Sequence, residues 1–364
     1  MLPTVPGSVY ELSGAFGPKS IVFRGVPAYN SGLILSTLRT HTEFAMTFKV
    51  FIDGRHGTTG LKIDERLSIR PEIEILTIPE DKRKDPAVKA EYINSADVVF
   101  LCLPDAASRE SVALLAPGNT RTRFLDASTA HRTNPDWVYG LPELNGGQRE
   151  RVAKAQKVAV PGCHASGFIM LMAPLVAGGI VPKDYPVSTY SITGYSGGGK
   201  EMIASYEEPA SLPDAMKSPR FYALGLTHKH LPEMQMQTGL AHQPLFTPIV
   251  GNFAQGMVVA VPLLPRMLGK KVTPADLQAF YSEYYAGEVF VKVMPLDAAP
   301  VLDNGFLPAT ACNDTNRAEI FVFGHGEQIL VASRFDNLGK GASGAAIQCM
   351  NLMLGVDEAT GLAV

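Results

Sequence analysis

The sequence predicts an α/β protein in which a doubly wound parallel sheet precedes an α+β domain with a largely antiparallel sheet. The first half alternates short, continuously apolar segments with helix-compatible segments, which is typical of parallel strands buried on both faces. From about residue 160 onward, apolar and polar residues alternate, as expected for a sheet with one covered face. The length of 364 residues is sufficient for two domains.

Each predicted element rests on its own apolar pattern. In the first half, we predict strands over 48–53, 72–78, 98–103 and 123–126, and helices over 87–95 and 104–115. In the second half, we predict strands over 186–194, 256–264, 318–323 and 328–334, and helices over 168–176 and 344–354. The parallel half therefore predicts a nucleotide-binding architecture, with ligands at the carboxyl edge of its sheet.

Composition excludes several classes of protein. Lys and Arg total 32 against 35 Asp and Glu, so nothing suggests a basic surface for nucleic acid or anionic lipid. The apolar runs fall short of the ~20 residues that a membrane span needs. Four cysteines lie far apart without a Cys-x-x-Cys pair, which argues against a disulfide framework or a zinc module. We expect a soluble cytoplasmic protein.

Residues 1–45 differ from the rest of the chain. They show little periodicity, and a buried strand begins immediately after Met46. The segment lacks a basic start followed by an apolar run, so we do not expect a secretory signal. We expect residues 1–45 to be an appended segment outside the core, the alternative being an ordered N-terminal extension.

A glycine-rich turn follows the first strand, with Gly54, Gly57 and Gly60 spaced G-x-x-G-x-x-G. Such a turn lets backbone N–H groups approach a pyrophosphate at a helix N-terminus. After the second strand, a basic cluster at 82–84 would suit the 2′-phosphate of NADP, whereas an acid would bind a ribose hydroxyl. The dinucleotide contacts expected in this turn are Gly54, Arg55, His56, Gly57, Thr58, Thr59 and Gly60.

Cys163 follows Pro161 and Gly162 at a predicted strand-to-helix turn. A thiol at a helix N-terminus is expected to have a lowered pKa, and its thiolate would attack acyl groups. The alternative is a small core residue.

Two histidines, His228 and His230, are candidates for a base that serves Cys163. A metal site is the alternative, although no convincing further ligands lie nearby in the sequence. Glu233 would orient an imidazole or bind a substrate amine.

Residues 194–201 nearly spell a phosphate-binding P-loop. Glu201 occupies the place of the Ser or Thr that would hold Mg²⁺, so an ATP site is not expected. We expect Ser196, Gly197 and Lys200 to present N–H groups and one ammonium to a substrate phosphate or carboxylate.

These motifs, in this order, resemble the second, shorter subtype of the N-acetyl-gamma-glutamyl-phosphate reductase family, in the semialdehyde dehydrogenase superfamily. The resemblance runs from residue 46 to about 354. Its most specific motifs are Tyr-Gly-Leu-Pro-Glu at 139–143, Pro-Gly-Cys at 161–163, His-Lys-His-Leu-Pro-Glu at 228–233 and Gly-Lys-Gly-Ala-Ser-Gly-Ala at 339–345.

The resemblance implies a division into domains and an assembly. It implies a Rossmann domain for NADP(H), formed by residues 46–162 and 338–364, and a catalytic and dimerisation domain over 163–337. It also implies homodimers or homotetramers. The further cofactor contacts that it implies are Asn337, Gly339, Lys340 and Gly341.

The resemblance also implies a reaction in arginine biosynthesis. NADPH would reduce N-acetyl-gamma-glutamyl phosphate to N-acetylglutamate 5-semialdehyde through a thioester on Cys163, with His228 or His230 as acid and base. Independently of the resemblance, Ser128, His131 and Arg132 follow the predicted strand 123–126, where a ligand of the sheet would meet them. We expect Arg132 to bind the leaving phosphate, the alternative being a capped loop. Reductases of an aspartyl or aminoadipyl phosphate are the nearest rivals. A non-catalytic nucleotide sensor and an ATP-dependent enzyme are more distant alternatives.

Two departures from the family pattern affect substrate binding. Residues 163–166 read Cys-His-Ala-Ser where many relatives have Cys-Tyr-Pro-Thr, and 196–200 read Ser-Gly-Gly-Gly-Lys instead of Ser-Gly-Ala-Gly-Arg. Lysine is less suited than arginine to a bidentate carboxylate contact. Which side chains hold the substrate carboxylate and acetyl group is therefore left open.

Overall fold

Two β-sheets organise residues 47–364, which are the residues that the computed structural model describes. The predicted appended segment, 1–45, lies outside the described residues. Within 47–364, no helix is long and apolar enough to cross a membrane.

The first sheet has six strands, all parallel to their neighbours. Its strands are β1 (Phe48–Asp53), β2 (Ile73–Leu76), β3 (Val98–Leu101), β4 (Arg123–Asp126), β5 (Val138–Tyr139) and β6 (Lys157–Ala159). Its helices are α1 (Thr58–Leu67), α2 (Pro86–Ser95), α3 (Asp105–Ala113) and α4 (Gln148–Lys154). The strand order β2-β1-β3-β4-β6-β5 reverses direction at β1, as in doubly wound nucleotide-binding folds.

Both faces of this sheet are covered, which explains its continuously apolar strands. Val50 and Ile52 of β1 face one hydrophobic cluster, whereas Phe51, between them, faces another. All four residues of β3 are buried. The prediction of a parallel sheet buried on both faces is confirmed.

The second sheet has seven strands, and four of its six pairings are antiparallel. Its strands are β7 (Ser188–Thr193), β8 (Arg220–Phe221), β9 (Leu245–Val250), β10 (Met257–Leu263), β11 (Val291–Val293), β12 (Ala318–His325) and β13 (Gln328–Phe335). The remaining helices are α5 (Cys163–Ala177), α6 (Gly199–Glu207), α7 (Asp214–Lys217), α8 (Leu231–Thr238), α9 (Pro274–Tyr284) and α10 (Gly344–Leu354). The strand order is β11-β12-β13-β10-β7-β9-β8, so the predicted, largely antiparallel sheet is confirmed.

Helix α5 forms the centre of the second core and carries Cys163 at its first residue. Twelve of its fifteen residues are apolar or glycine, and almost all are buried against β10, β13 and α8. The helix begins five residues before the predicted 168–176 because Gly162, in an extended conformation, serves as its N-cap. Burial of α5 therefore fixes the position of the thiol.

Helix α10 returns to the parallel sheet and packs in the same cluster as Val50 and Ile52. The fully buried Lys340, just before α10, donates from Nζ to Glu143 Oε1 at 2.7 Å and to Gln348 Oε1 at 2.6 Å. A buried ammonium needs such partners, and their loss leaves an uncompensated charge. This ion pair joins the end of the chain to the segment that precedes α4.

Candidate active site

A cavity of about 440 Å³ lies at the carboxyl edge of the parallel sheet, where ligands of doubly wound folds bind. Residues that follow β1, β3, β4 and β6 form one wall, and residues of the mixed-sheet half form the other. The predicted site residues that line it are Thr58, Thr59, Arg132, Cys163, Ser196, Gly197, His228, His230, Asn337 and Gly341.

Cys163 is half-buried in this cavity. Burial raises the pKa of its thiol to about 11, although the backbone N–H of His164 and the cations Arg132 and Lys229 favour the thiolate. The predicted lowering of this pKa is therefore wrong, because loss of solvation outweighs the helix N-terminus. The thiol of Cys163 is therefore neutral at pH 7.

His228 and His230 lie beside Cys163 and are neutral. Their ring centroids are 4.6 Å apart, in a turn that ends with His230 as the N-cap of α8. Burial lowers the pKa of His228 to about 4 and that of His230 well below its ordinary value, and the positive charges of Lys229 and Arg132 add to this effect. A turn, rather than a strand or a helix, brings the two rings together.

Gly162 allows close contact between the loop 160–163, here called the cysteine loop, and the turn 228–230, here called the histidine turn. A Cβ at this position would lie 2.3 Å from His230 Nε2 and 2.5 Å from Arg132 Nη1. Any side chain would push both groups away from the N-terminus of α5. Only glycine lets the imidazole pack against the residue before Cys163.

Arg132 and Glu233 form a buried ion pair beneath the cavity. Arg132 donates from Nη1 to Glu233 Oε1 at 2.7 Å, while Tyr139 Oη and the N–H of Gly162 donate to Oε2 at 2.6 and 3.2 Å. Glu233 is 1% exposed. Among the described residues, no hydrogen bond joins it to either histidine, so Glu233 holds the cysteine loop rather than orienting an imidazole.

Ser128 and His131 lie behind the cavity wall. Both are buried, and both bind Asp126 at the end of β4, through Ser128 Oγ at 2.9 Å and His131 Nδ1 at 2.5 Å. His131 also stacks on Trp137 with ring centroids 4.1 Å apart. These contacts shape the loop that carries Arg132, and neither side chain lines the cavity.

The glycine-rich turn has the geometry of a phosphate-binding loop. Gly54 has φ +87°, and a Cβ there would lie 2.3 Å from the carbonyl oxygen of Cys102. A Cβ at Gly60 would lie 2.5 Å from Gly54 O. Gly57 is the N-cap of α1, so the first N–H groups of this helix are free for a ligand. The buried hydroxyl of Thr58 has no hydrogen-bond partner among the described residues, which fits a bound phosphate.

The neighbours of these glycines contact the end of β2. Arg55 donates from Nη1 to Thr77 Oγ1 at 3.0 Å, just beyond β2, and forms an ion pair with Asp64 at 2.8 Å. His56 and Glu80, both exposed, are 3.4 Å apart. The guanidinium thus lies where a Rossmann fold places the adenosine ribose.

The segment before α10 closes the cavity opposite the glycine-rich turn. Asn337 donates from Nδ2 to Ser196 Oγ at 3.0 Å, and a Cβ at Gly341 would lie 2.9 Å from Cys163 Cβ. A Cβ at Gly339 would lie 2.2 Å from Thr315 O. The side chain of Lys340 points away, into its ion pair with Glu143.

Lys200 lies outside the main cavity. Its exposed side chain lines an adjacent cavity of about 660 Å³, which Ser196 and Thr58 also line. Ser196 thus borders both spaces, whereas Lys200 borders only the outer one.

The cavity residues that were not predicted as site residues include His164, Tyr222 and Lys229. Lys229 stands between the two predicted histidines, and it forms no ion pair within residues 47–364. The same residues contain no group of three His, Cys, Asp or Glu side chains placed to hold a metal ion. The position of Lys229 between the histidines was the one sequence signal that marked it.

A dinucleotide-type sheet that opens onto a cavity with a cysteine and neutral histidines is the arrangement of an oxidoreductase with a cysteine nucleophile. Two family models match the chain. "Semialdehyde dehydrogenase, NAD binding domain" matches residues 31–155, and "Semialdehyde dehydrogenase, dimerisation domain" matches residues 163–337. The first match begins within the segment 1–45.

Similar proteins of known name indicate the family within the semialdehyde dehydrogenases to which this chain belongs. The chain is 48% identical to N-acetyl-gamma-glutamyl-phosphate reductase of Brucella ovis over 311 residues, which cover 84% of this chain and 99% of the relative. It is 46% identical to N-acetyl-gamma-glutamyl-phosphate reductase 2 of a Nostoc species, over 86% of this chain and 99% of the relative. The chain belongs to the N-acetyl-gamma-glutamyl-phosphate reductase family of semialdehyde dehydrogenases.

Solved structures share the fold at low sequence identity. Aspartate semialdehyde dehydrogenase II of Vibrio cholerae matches with a TM-score of 0.63 and 16% identity, over 85% of this chain and 99% of that chain. The enzyme of Francisella tularensis matches with a TM-score of 0.61 and 14% identity, over 85% of this chain and 100% of that chain. The predicted family and fold are confirmed.

The raised pKa of Cys163 predicts slow alkylation of the free enzyme at neutral pH. With a pKa of about 11, roughly one thiol in ten thousand is ionised at pH 7. We expect the rate of iodoacetamide labelling of Cys163, measured by mass spectrometry, to rise about tenfold per pH unit between pH 7 and 10. The Cys163→Ser variant corrects for other thiols, and a labelling rate that levels off below pH 8 would contradict the raised pKa.

Proposed function

We propose that this enzyme reduces N-acetyl-gamma-glutamyl phosphate to N-acetylglutamate 5-semialdehyde with NADPH, as a step of arginine biosynthesis in the cytoplasm. The observation that carries the proposal is the single cavity in which Cys163, His230 and the N-terminus of α1 meet. The relatives at 46–48% identity carry the reductase name over nearly their full length, which supports this substrate.

The first half of the proposed reaction forms a thioester. His230 removes the proton of the neutral Cys163 thiol as Sγ attacks the acyl carbonyl carbon. The carbonyl oxygen gains negative charge, and the bond from this carbon to the phosphate oxygen then breaks. Inorganic phosphate leaves and takes up a proton from solvent, and the acyl group stays on Cys163.

The second half of the reaction returns the thiol. The reduced dinucleotide, when bound, supplies the hydride that converts the thioester carbonyl into the oxyanion of a hemithioacetal. The carbon–sulfur bond then breaks to give the aldehyde. The proton held on His230 passes to Sγ, so the enzyme regains its starting state. The neutral state of both histidines fits this cycle, since the resting base must have a free lone pair.

We assign the acid–base role to His230 because of its hydrogen bonds. His228 Nδ1 accepts from the backbone N–H of His230 at 3.1 Å, so a neutral His228 carries its proton on Nε2 and cannot accept another. Neither ring nitrogen of His230 is held by a hydrogen bond within the described residues, and Nε2 faces Gly162 next to Cys163. His228 would instead donate from Nε2 to the substrate.

The two cations at the site, Lys229 and Arg132, differ in whether they are already paired with a carboxylate. Arg132 is already paired with the buried Glu233, whereas Lys229 is exposed and forms no ion pair in residues 47–364. We propose that Lys229 supplies the first positive charge to the acyl phosphate, and that Arg132 adds its remaining N–H donors to the leaving phosphate. Ser196 and Gly197, which line the same cavity, would hold the other end of the substrate, whereas Lys200 borders only the outer cavity.

The preference for NADP over NAD is proposed from the end of β2. Thr77 rather than an acid follows the strand, and the Arg55 guanidinium contacts it at 3.0 Å. An acidic residue there would bind a 2′-hydroxyl, whereas arginine suits a 2′-phosphate. Lys82, Arg83 and Lys84 add positive charge in the following turn.

We propose a homodimer, with a homotetramer as the larger alternative. β7, β8 and β9 expose Tyr190, Ile192, Phe221 and Leu245 to between 37% and 59%. Adjacent apolar side chains of this kind are typical of a protein interface. Light scattering of the purified chain measures the assembly.

The reverse reaction tests the proposed function. We expect NADP⁺ reduction with N-acetylglutamate 5-semialdehyde to require phosphate and to fall at least ~10³-fold in Cys163→Ala, because the thiol forms the covalent intermediate. Following NADPH absorbance measures both effects. NAD⁺ in the same assay should support at least ~10-fold less turnover.

The control for this assay is Cys312→Ala, which removes a buried thiol that does not line the cavity. It should keep wild-type turnover. Turnover that survives in Cys163→Ala would disprove the thioester route. Activity with aspartate semialdehyde alone would reassign the substrate while leaving the role of Cys163 intact.

The two histidines should differ in the effect of matched substitutions. We expect His230→Asn to lower kcat by about 10²–10⁴-fold, since it removes the base, and His228→Asn to raise KM with a smaller change in kcat. In the wild type, the acidic limb of the plot of kcat against pH should have its midpoint below pH 6.5, because the pKa of His230 is lowered. Equal losses of kcat in both variants would contradict the assignment.

A further inference from the structure

The residue after the proposed nucleophile, His164, connects two hydroxyl groups at the cavity. Its buried ring has Nδ1 2.7 Å from Ser191 Oγ on β7 and Nε2 2.7 Å from Tyr222 Oη. Tyr222 lines the cavity together with Cys163, whereas Ser191 is fully buried behind it. A chain of two hydrogen bonds therefore runs from the core of the mixed sheet to the cavity.

The direction of these hydrogen bonds follows from the protonation of His164. Burial, together with the charge that His228 would carry if protonated and the positive charge of Lys229, lowers the pKa of His164 to about 3, so the ring is neutral. A neutral imidazole has one donor nitrogen and one acceptor nitrogen. Which nitrogen carries the proton is set by the partners.

Ser191 decides the tautomer. Among the described residues, the only hydrogen-bond partner of its hydroxyl is His164 Nδ1. A buried hydroxyl proton without an acceptor is costly, so Ser191 donates to Nδ1. Nε2 then carries the ring proton and donates to Tyr222 Oη. The hydroxyl proton of Tyr222 is thereby left free of any acceptor in residues 47–364 and faces the cavity.

Two further observations concern Tyr222: one bears on its position and the other on its protonation. Ala223 and Leu226, which follow it, have φ of 53° and 56°, a conformation that costs energy for residues with a Cβ. Burial and the nearby Cys163 sulfur raise the pKa of Tyr222, so its hydroxyl stays protonated. Strain of this kind persists where the surrounding structure fixes the backbone.

We propose that Tyr222 is a catalytic hydrogen-bond donor to the acyl oxygen, the atom that becomes negatively charged when Cys163 attacks. His164 and Ser191 are positioning residues that keep the Tyr222 proton directed at the substrate. The proposal rests on the proposed function, since it assigns a role within the same reaction. A donor aimed at a developing oxyanion acts mainly on kcat.

Tyr222→Phe tests the donor, because it removes only the hydroxyl. In the phosphate-dependent reverse assay, kcat should fall about 10²–10³-fold while KM for the aldehyde changes less than about threefold. Tyr92→Phe, on α2 away from the cavity, is the matched control and should keep wild-type kcat. An unchanged kcat in Tyr222→Phe would overturn the proposal.

Ser191→Ala tests the positioning role. It removes the hydroxyl that donates to His164 Nδ1, and Ser191 itself does not line the cavity. Nδ1 can then carry the proton, and Tyr222 can donate to Nε2 instead of to the substrate. We expect kcat to fall about tenfold with KM unchanged, Ser191→Thr to restore it, and Ser191→Ala to add no loss in the Tyr222→Phe background. If Ser191→Ala lowered kcat by the same factor in the Tyr222→Phe background, Ser191 would act independently of Tyr222, which would overturn the positioning role.

Nuclear magnetic resonance tests the tautomer of His164 without any measurement of activity. Nitrogen-15 spectra of the ring of His164 in the wild-type protein should place its proton on Nε2. A proton on Nδ1 would overturn the positioning role of His164 and Ser191, whether or not the enzyme turns over. An inactive wild type would instead contradict the proposed function. Wild-type turnover with an unimpaired Tyr222→Phe variant would contradict only the role of Tyr222.

Discussion

The buried ion pair between Arg132 and Glu233 holds the site together. Arg132 follows β4 of the parallel sheet, and Glu233 lies in the first turn of α8 in the other half of the chain. The same carboxylate accepts the N–H of Gly162, so one group fixes the cysteine loop, the histidine turn and the end of β4. Breaking a buried pair of this kind leaves an unpaired charge and costs about 3–5 kcal/mol, so the shared carboxylate stabilises the relative positions of these three segments.

Burial sets the protonation state of Cys163 and of the two histidines beside it. The packing that places Cys163 at the start of α5 also raises its pKa to about 11 and keeps the neighbouring histidines neutral. In the reaction that we propose, charge appears only as the thiol attacks, in a cavity where Lys229 and the N-terminus of α5 favour it.

The fold was largely predictable, and the site only in outline. β1 and β4 have the predicted limits because apolar runs between turn residues define buried strands. Cys163 and the two histidines were predicted from residue type and local turns. The partners of Glu233 were not, since Arg132 lies 101 residues away, and neither was the raised pKa of Cys163, which depends on packing by the whole mixed sheet. The inward turn of Lys340 likewise depends on Glu143, 197 residues distant. Patterns along the chain report local structure, whereas these contacts are set by the tertiary fold.

The most direct measurement of the account is a burst experiment without phosphate. The enzyme is mixed rapidly with NADP⁺ and N-acetylglutamate 5-semialdehyde, and NADPH absorbance and intact mass are followed together. We predict a burst of about one NADPH per subunit, then a near halt, with the N-acetylglutamyl group on Cys163. The absence of a burst, or an acyl group on any other residue, would contradict the central claim that Cys163 carries the acyl group between phosphate and hydride.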